Sequence, residues 1–312
     1  MHTHISRRNF ISAAAGALSL GTLVNNSSTG AKSKPAANAM PVVPFGNVHI
    51  SRLIIGNNTI SGGSHLSPLT DASMKEYFTK ENTLAFLKRC GNEGINLWQA
   101  GLGGNLELWK EYQASGGDMH FMALATPQPD KSSAAIEVAK KKGVLALAHH
   151  GEVTDQLFKE GKLDSIVDFL KQVRDAGLLI GVSTHMPAVV EYIEEKNWDI
   201  DFYMTCVYER HRSKEELKQL LGYVPIPVRE VYLEEDPFWM YKMIRLTGKT
   251  CLAFKILAAG RFCRNQKELE AAFRQTFENI KPKDAVIVGM FPRYSDQVKE
   301  DADLVRRFGG IS

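Results

Sequence analysis

Residues 177–207, GLLIGVSTHMPAVVEYIEEKNWDIDFYMTCV, contain the repeating unit that decides the fold. The short apolar run at residues 179–182 predicts a strand that is buried on both faces, and Pro187 suits the first turn of the helix that follows. A second apolar run at residues 202–207 predicts the next strand. A strand, a helix and a further strand in this order are typical of a parallel sheet with helical crossovers.

The same alternation extends over most of the chain. Amphipathic helical stretches separate the apolar runs, as expected for helices that cover both faces of a parallel sheet. Eight units favour closure into a (β/α)8 barrel, and no GxGxxG turn follows the first strand to favour an open nucleotide-binding sheet. The predicted strands are residues 53–55, 95–98, 120–125, 144–148, 179–182, 202–207, 251–254 and 285–288.

Residues 1–39 have the pattern of a twin-arginine signal peptide. Residues 6–11 read SRRNFI, and the mildly apolar stretch at residues 11–24 is too short and too rich in small residues for a stable membrane span. Ala37-Asn38-Ala39 then offers a small-x-small cleavage site. We therefore expect export to the periplasm or beyond the cell by the twin-arginine machinery, and a single barrel domain over residues 40–312.

The charge of the chain excludes two classes of partner. The sequence has 38 basic and 35 acidic side chains. Four of the basic residues and none of the acidic residues lie in residues 1–39, so the expected barrel is close to neutral. A nearly neutral domain lacks the basic face that nucleic acids and anionic membranes require. No later apolar run is long enough to span a bilayer, so a small-molecule substrate is the expected partner.

Candidate site residues follow from the barrel itself, because active sites in this fold form where strands end. His149 and His185 directly follow neighbouring predicted strands, and we expect their side chains to converge on one pocket. The long segments at residues 57–80 and 222–236 are either lids or surface elaborations. The residues at predicted strand ends are Gln99, Thr126, His149, His150, Glu152, Ser183, His185, Tyr208, Glu209, His211 and Lys255.

Five segments together resemble the aldo/keto reductases. They are residues 45–56, the EGIN of residues 93–96, the IGVS of residues 180–183, the AFKILAAG of residues 253–260, and the IVGM of residue 287 onwards with the following helix. The resemblance spans about residues 43–308. It implies a (β/α)8 barrel that transfers hydride between NADP or NAD and a small carbonyl compound or sugar.

The resemblance extends only in part to the catalytic set. In that family a Tyr protonates the carbonyl oxygen, a Lys and an Asp tune this Tyr, and a His orients the substrate. Here Gln99, Gly104 and Pro127 stand at the Asp, Tyr and Lys positions, and only the His is matched, by His149. Loss of the usual general acid removes a factor of roughly 10²–10⁴ in rate. Lys255 joins His149 and Gln99 as a candidate catalytic residue, as a base or a substrate-positioning cation.

The cofactor positions match somewhat better. Ser183 stands where the family places a Ser against the nicotinamide amide, and Tyr208 is placed to stack on the nicotinamide ring. Arg293 is a candidate partner for a phosphate. The leading hypothesis is therefore an exported oxidoreductase similar to aldo/keto reductases.

Two other functions fit the same strand ends. His149 and His185, with a carboxylate such as Glu209, Glu152 or Glu230, form a set that can hold Zn²⁺ or Mn²⁺ and leave a position open for substrate. Such a site would suit a metal-dependent sugar isomerase, epimerase or lyase. The third hypothesis is an exported binding protein without catalysis.

Overall fold

The computed structural model describes residues 39–125, 132–226 and 229–310, and its centre is a closed barrel of parallel strands. The strands are β1 (Val42–Phe45), β2 (Val48–Ser51), β3 (Leu53–Gly56), β4 (Leu97–Gly101), β5 (His120–Ala125), β6 (Ala146–His149), β7 (Leu179–Thr184), β8 (Phe202–Cys206), β9 (Thr250–Phe254) and β10 (Ala285–Val288). The order around the barrel is β10-β3-β4-β5-β6-β7-β8-β9. The prediction of a (β/α)8 barrel is confirmed.

The helices surround the barrel, and two of them were not predicted. They are α1 (Pro68–Tyr77), α2 (Lys80–Asn92), α3 (Gly104–Ala114), α4 (Ser132–Lys142), α5 (Gly151–Lys159), α6 (Val167–Asp175), α7 (Pro187–Glu195), α8 (Lys214–Leu221), α9 (Asp236–Leu246), α10 (Gln266–Asn279) and α11 (Gln297–Phe308). Helix α1 lies inside the segment interpreted as a loop, where Ser67 caps it and Pro68 occupies its first turn. Helix α5 follows β6 after a single residue. Within the described ranges, no helix combines the length and the apolar character needed to cross a bilayer.

The hairpin of β1 and β2 closes the amino end of the barrel. Val43, Phe45 and Ile50 are buried among the side chains of the barrel interior, and the rings of Phe45 and Phe202 meet edge to face at 5.0 Å. Residues 45–56 resemble the opening strand of the aldo/keto reductases. Gly46 instead turns the chain with a φ of +59°, which separates β1 and β2 from the barrel strand β3.

Alternation along each strand decides which side chains face the barrel interior. Ala146 and Ala148 of β6 belong to the interior cluster, whereas Leu147 between them packs in the cluster that joins the barrel to the helices. The same alternation places Trp98 outward and Gln99 inward on β4, because Leu97 lies in the interior cluster. A site residue must therefore have the correct parity as well as the correct position at a strand end.

Candidate functional site

A cavity of about 560 Å³ opens at the carboxyl ends of the barrel strands. Its floor carries polar side chains from the interior face, among them Gln99 of β4, Ser183 of β7 and Lys255 after β9. The segments that follow β3, β9 and β10 form its sides. This is the place where (β/α)8 enzymes keep their active sites, and the volume lies within the roughly 300–1,000 Å³ of small-molecule pockets.

A buried carboxylate stands behind one wall of the cavity. Asp155 of α5 has no exposed surface, and its Oδ1 accepts a hydrogen bond from the Thr184 hydroxyl at 2.5 Å. Its Oδ2 accepts from the backbone N–H of His185 at 3.1 Å and from Nδ1 of the same residue at 2.7 Å. Because these donors come from the last residue of β7 and from His185 directly after it, the carboxylate fixes the position of the His185 ring at the cavity wall.

A second imidazole shares the same carboxylate. The Nδ1 of His211 lies 3.1 Å from Oδ2 of Asp155, and the two imidazole centroids are 4.5 Å apart. An ionised carboxylate only accepts hydrogen bonds, so both Nδ1 atoms carry their hydrogens. In the neutral ring of His185 the lone pair is then on Nε2. The Nε2 of His211 is buried and has no hydrogen-bond partner among the described residues.

The first residue of α5 lets this arrangement form. A Cβ on Gly151 would lie 2.8 Å from Oγ of Ser183 and 3.2 Å from Cε1 of His185. Only glycine permits the helix to approach β7 this closely. The close approach brings Asp155, one turn further along α5, behind the His185 ring.

The electrostatics favour an ionised carboxylate beside a neutral imidazole. Burial lowers the pKa of His185 to about 3, although the hydrogen bond to Asp155 opposes this change. Burial alone would raise the pKa of Asp155, but hydrogen bonds from His185, His211 and Thr184 outweigh it and hold that pKa at about 2. His185 is therefore a neutral base whose conjugate acid has a carboxylate ready to stabilise it.

Lys255 is a nearly enclosed amine on the cavity floor. Its backbone is left-handed, with a φ of +59°, and its Nζ lies 5.9 Å from the centroid of the Phe254 ring. Its side-chain amine forms no hydrogen bond or ion pair with any residue that the structure describes. Burial lowers its pKa to about 8; the neighbouring thiol of Cys206 opposes this change, and the charge of Arg210 adds to it. Residues other than glycine that adopt this strained backbone conformation cluster at functional sites.

Two long segments meet at the mouth of the cavity. Glu230 accepts hydrogen bonds from Nδ1 of His65 at 2.8 Å and from the Tyr232 hydroxyl at 2.6 Å, and it pairs with the guanidinium of Arg210. Burial would raise the pKa of Glu230, but these donors lower it well below its usual value. Because His65 and Arg210 both line the cavity, residues 57–80 and 222–236 border the site.

Several predicted site residues reach the cavity. Gln99, Ser183, His185 and Lys255 line it, as do His150 and Glu152 from the same predicted list. His211 lies behind His185 and contacts it through Asp155. Thr126 and Pro127 fall outside the described residues.

The structure does not bring His149 to the site, which corrects the expectation that it converges with His185. The ring of His149 points toward the helices, where its Nδ1 bonds to the Thr154 hydroxyl at 2.7 Å and its face meets Phe169 at 5.8 Å. It has the outward parity of Leu147, and burial lowers its pKa to about 4. The next residue, His150, lines the cavity instead.

Three further predicted residues lie away from the cavity. Tyr208 packs against Tyr232 at 5.1 Å, and the phenylalanines that line the cavity are Phe254 and Phe291. The carboxylate of Glu209 pairs with Arg212 at 3.2 Å.

Arg293, expected at a phosphate, donates to the Ser73 carbonyl at 3.1 Å and pairs with Glu76 at 2.8 Å. Its guanidinium is thus held by helix α1 rather than by the cavity. In each of these three cases the residue lies near the end of a strand, as predicted, but its side chain does not point into the cavity.

The metal set of the alternative hypothesis also changes. His149 and Glu209 lie on other faces, and among the described residues the group with metal-ligand spacing is Asp155, His185 and His211, whose donor atoms lie within 4.8 Å of one another. Sequence reasoning missed Asp155 because it missed helix α5. The amphipathic pattern of residues 151–159, which begins with Glu152 in the first turn, was the available signal.

No family model and no curated protein sequence matches the chain. Among solved structures, an aldo-keto reductase from Bacillus halodurans in its holo form is 16% identical, with a TM-score of 0.51 over 86% of this chain and 90% of that one. A mandelate oxidase variant is 14% identical, with a TM-score of 0.50 over 87% of this chain and 76% of that one. A glycerol dehydrogenase from Gluconobacter oxydans is 14% identical, with a TM-score of 0.48 over 89% and 98%. Aldo-keto reductases are thus among the structures that share this barrel, and at such identities the likeness shows the fold alone.

Proposed function

We propose that the chain is an exported oxidoreductase that moves hydride between a nicotinamide dinucleotide and a hydroxyl or carbonyl carbon of a small molecule, with a sugar or polyol as the substrate class. One observation carries the proposal. One cavity is lined both by the acid–base groups His185 and Lys255 and by polar residues of the segments after β9 and β10.

The residues present suit a dinucleotide. When bound, the nicotinamide ring supplies or accepts the hydride. Phe254 offers a ring on the cavity surface against which a planar group can stack, and Ser183 offers a hydroxyl to a carboxamide. The segments after the seventh and eighth barrel strands are where (β/α)8 proteins often bind phosphates. Gly289 lies there and lines the cavity, and a Cβ on it would meet Thr59 at 3.2 Å, so the position leaves little room for a side chain.

In this mechanism His185 exchanges the proton with the substrate oxygen. Its neutral Nε2 accepts the proton of a hydroxyl that is being oxidised, and Asp155 stabilises the imidazolium that forms. In the reverse direction the imidazolium returns the proton to the carbonyl oxygen. Lys255 donates a hydrogen bond to the same oxygen and stabilises its developing charge. This relay would replace the Tyr phenol of the aldo/keto reductases, at whose position this chain has Gly104.

Dinucleotide binding tests the proposal directly. Tryptophan fluorescence and thermal melts with NAD(H) and NADP(H) should reveal saturable binding to the purified chain, and a panel of sugars and polyols should produce absorbance of the reduced cofactor at 340 nm. A folded protein that responds to no dinucleotide at millimolar concentration would overturn the proposal. The binding role without catalysis would be favoured if sugars, and not dinucleotides, shifted the melt.

Export is a separate part of the proposal. The pair Arg7 and Arg8 motivates it, and folded cargo suits an enzyme loaded with a cofactor before export. Replacing both residues with Lys should leave the protein inside the cytoplasm with an unchanged melting temperature. Immunoblots of periplasmic and cytoplasmic fractions measure this, and normal appearance of the shortened chain in the periplasm would contradict it.

A specific observation supports a second candidate function. The donor atoms of Asp155, His185 and His211 lie within 4.8 Å of one another, a spacing that suits one divalent ion such as Zn²⁺ or Mn²⁺. A metal there would make a sugar isomerase, epimerase or lyase. Elemental analysis decides: one equivalent of metal that is lost in His211→Ala would favour this function, whereas metal-free protein that binds a dinucleotide favours the oxidoreductase.

A further inference from the structure

The cavity extends away from the barrel mouth between the segments after β9 and β10. We name this extension the polar arm and define it by Asn265, Gln266, Ser295, Gln297, Glu300 and Asp301, all of which line the cavity. It presents amides, a hydroxyl and two carboxyl groups. Among the described residues that line it, none is a lysine or an arginine. The arm is therefore built to bind hydroxyl and amino groups rather than anions.

Asp301 is the clearest sign that the arm receives a ligand. It is only 3% exposed, it lines the cavity, and it forms no hydrogen bond or ion pair with any described residue. Burial raises its pKa to about 8, and the charge of Glu300 adds to the effect. An unpartnered buried carboxyl costs stability, so its presence at a cavity surface is explained if a ligand supplies the missing partner.

The field in the arm is negative. The pKa of the Cys263 thiol is raised to about 11, mainly by burial, and the acidic side chains of Asp301, Glu268 and Glu300 contribute to the rise. Arg293, the expected phosphate partner, is held outside the arm by Ser73 and Glu76. Nothing among the described lining residues of the arm would neutralise a phosphate group.

We propose that the polar arm takes the adenosine ribose of NAD, with its free 2′-hydroxyl, and rejects the 2′-phosphate of NADP. The inference rests on the proposed function, because it assumes that the cavity holds a dinucleotide. A ribose diol can donate hydrogen bonds to carboxylates, which is how acidic residues select NAD in other nucleotide sites. A phosphate monoester carries roughly 1.5–2 negative charges at neutral pH, which Glu300 would repel.

Calorimetry with fragments that lack the nicotinamide separates the arm from the hydride chemistry. The probes are ADP-ribose and 2′-phospho-ADP-ribose, followed by NAD⁺ and NADP⁺, all at one ionic strength. We expect the forms with a free 2′-hydroxyl to bind at least tenfold more tightly, which is about 1.4 kcal/mol. Glu300→Arg should reverse or abolish this preference by tightening binding of the phosphorylated forms at least tenfold.

Asp303→Arg is the matched control. Asp303 lies on the same helix but pairs with Lys299 and Arg306, and it is not among the lining residues of the cavity. The same change of charge there should leave the preference unaltered. Equal effects of the two variants would show that net charge alone sets the preference, and would overturn the inference.

The remaining outcomes distinguish the two proposals. Wild-type protein that binds NADP⁺ as tightly as NAD⁺ overturns the inference about the arm and leaves the oxidoreductase proposal intact. Folded protein that binds neither dinucleotide nor ADP-ribose overturns the proposed function, and the inference with it. Loss of NAD⁺ binding in Asp301→Asn, with the melting temperature maintained, supports the arm as the ribose site.

Discussion

The two ends of the barrel treat buried charge in opposite ways. At the amino end, the Arg52 guanidinium donates to the carbonyls of Asp284, Gly309 and Lys281 at 2.8, 2.8 and 3.1 Å, and it lies 4.8 Å from the centroid of the Phe277 ring. At the carboxyl end, the amine of Lys255 and the carboxyl of Asp301 have no such partners among the described residues.

The difference has a physical meaning. Burial lowers the pKa of Arg52 to about 10, yet its hydrogen bonds replace those lost from water, so this charge ties together the ends of three segments. Burial lowers the pKa of Lys255 to about 8, and no described residue accepts a hydrogen bond from its amine. One end therefore contributes stability, while the other retains polar groups that a substrate or cofactor can use.

The largest effect that tests this comparison is on catalysis, in two histidines of nearly equal burial. His185→Gln should lower the turnover rate by roughly 10²–10⁴, the usual contribution of a general base. His149→Gln should leave turnover of the folded fraction close to normal. Its cost should appear in the free energy of unfolding, as about 1–3 kcal/mol from the lost bond to Thr154.

Steady-state rates and urea titrations on both variants measure the contrast. A loss of activity in His149→Gln as large as in His185→Gln would contradict the assignment of the two rings to different faces of β6 and β7. Asp155→Asn adds a further check, since a positioning carboxylate should alter the pH profile of the rate as well as its size.

The histidines at the ends of the strands also show how much of the site the sequence could predict. Eight apolar runs in order were enough for the barrel, because strands buried on both faces differ sharply in composition from the amphipathic helices between them. Those runs do not encode parity at their last residue. His149 and His150 are both adjacent to the end of β6, and a shift of one residue moves a side chain from the helices to the cavity.

Contacts between side chains of different helices and strands could not be predicted from the sequence either. Asp155 acts through residues about thirty positions away, and the amphipathic pattern of α5 does not indicate which strand its carboxylate contacts. Arg293 illustrates the converse. Its position near the end of β10 suggested a phosphate, but the unpredicted helix α1 offers Ser73 and Glu76, and these hold the guanidinium outside the cavity.

The next effect is on stability at the amino end. Arg52→Met removes a buried cation, leaves three carbonyls without their donors and takes away a charge that lies near Asp284, so the free energy of unfolding should fall by about 3–5 kcal/mol. Ligand binding by the folded fraction should persist, because the cavity lies at the other end. Arg264→Met, which removes an exposed pair with Glu268, is the control and should change little. Equal stability of the two variants would contradict the role assigned to the amino end.

The smallest effect comes from the carboxyl end and has the opposite sign. Lys255→Met replaces an unpartnered buried amine with an apolar side chain of similar length, so it should raise the free energy of unfolding at pH 7 by about 1 kcal/mol while abolishing turnover. The sign follows from the pKa, which burial lowers from 10.5 to about 8 in the folded protein. Between these values the unfolded chain binds more protons than the folded chain, so wild-type stability rises with pH over that interval. The advantage of the variant is therefore complete below about pH 8 and should shrink as the pH approaches 10.5.

Urea titrations at pH 7 and pH 10 measure this advantage. The control for the loss of one positive charge is Lys162→Met, at an exposed lysine that pairs with Glu160. If Lys255→Met destabilised the protein at pH 7, Lys255 would stabilise the fold as Arg52 does. The proposed contrast between the two ends of the barrel would then be wrong.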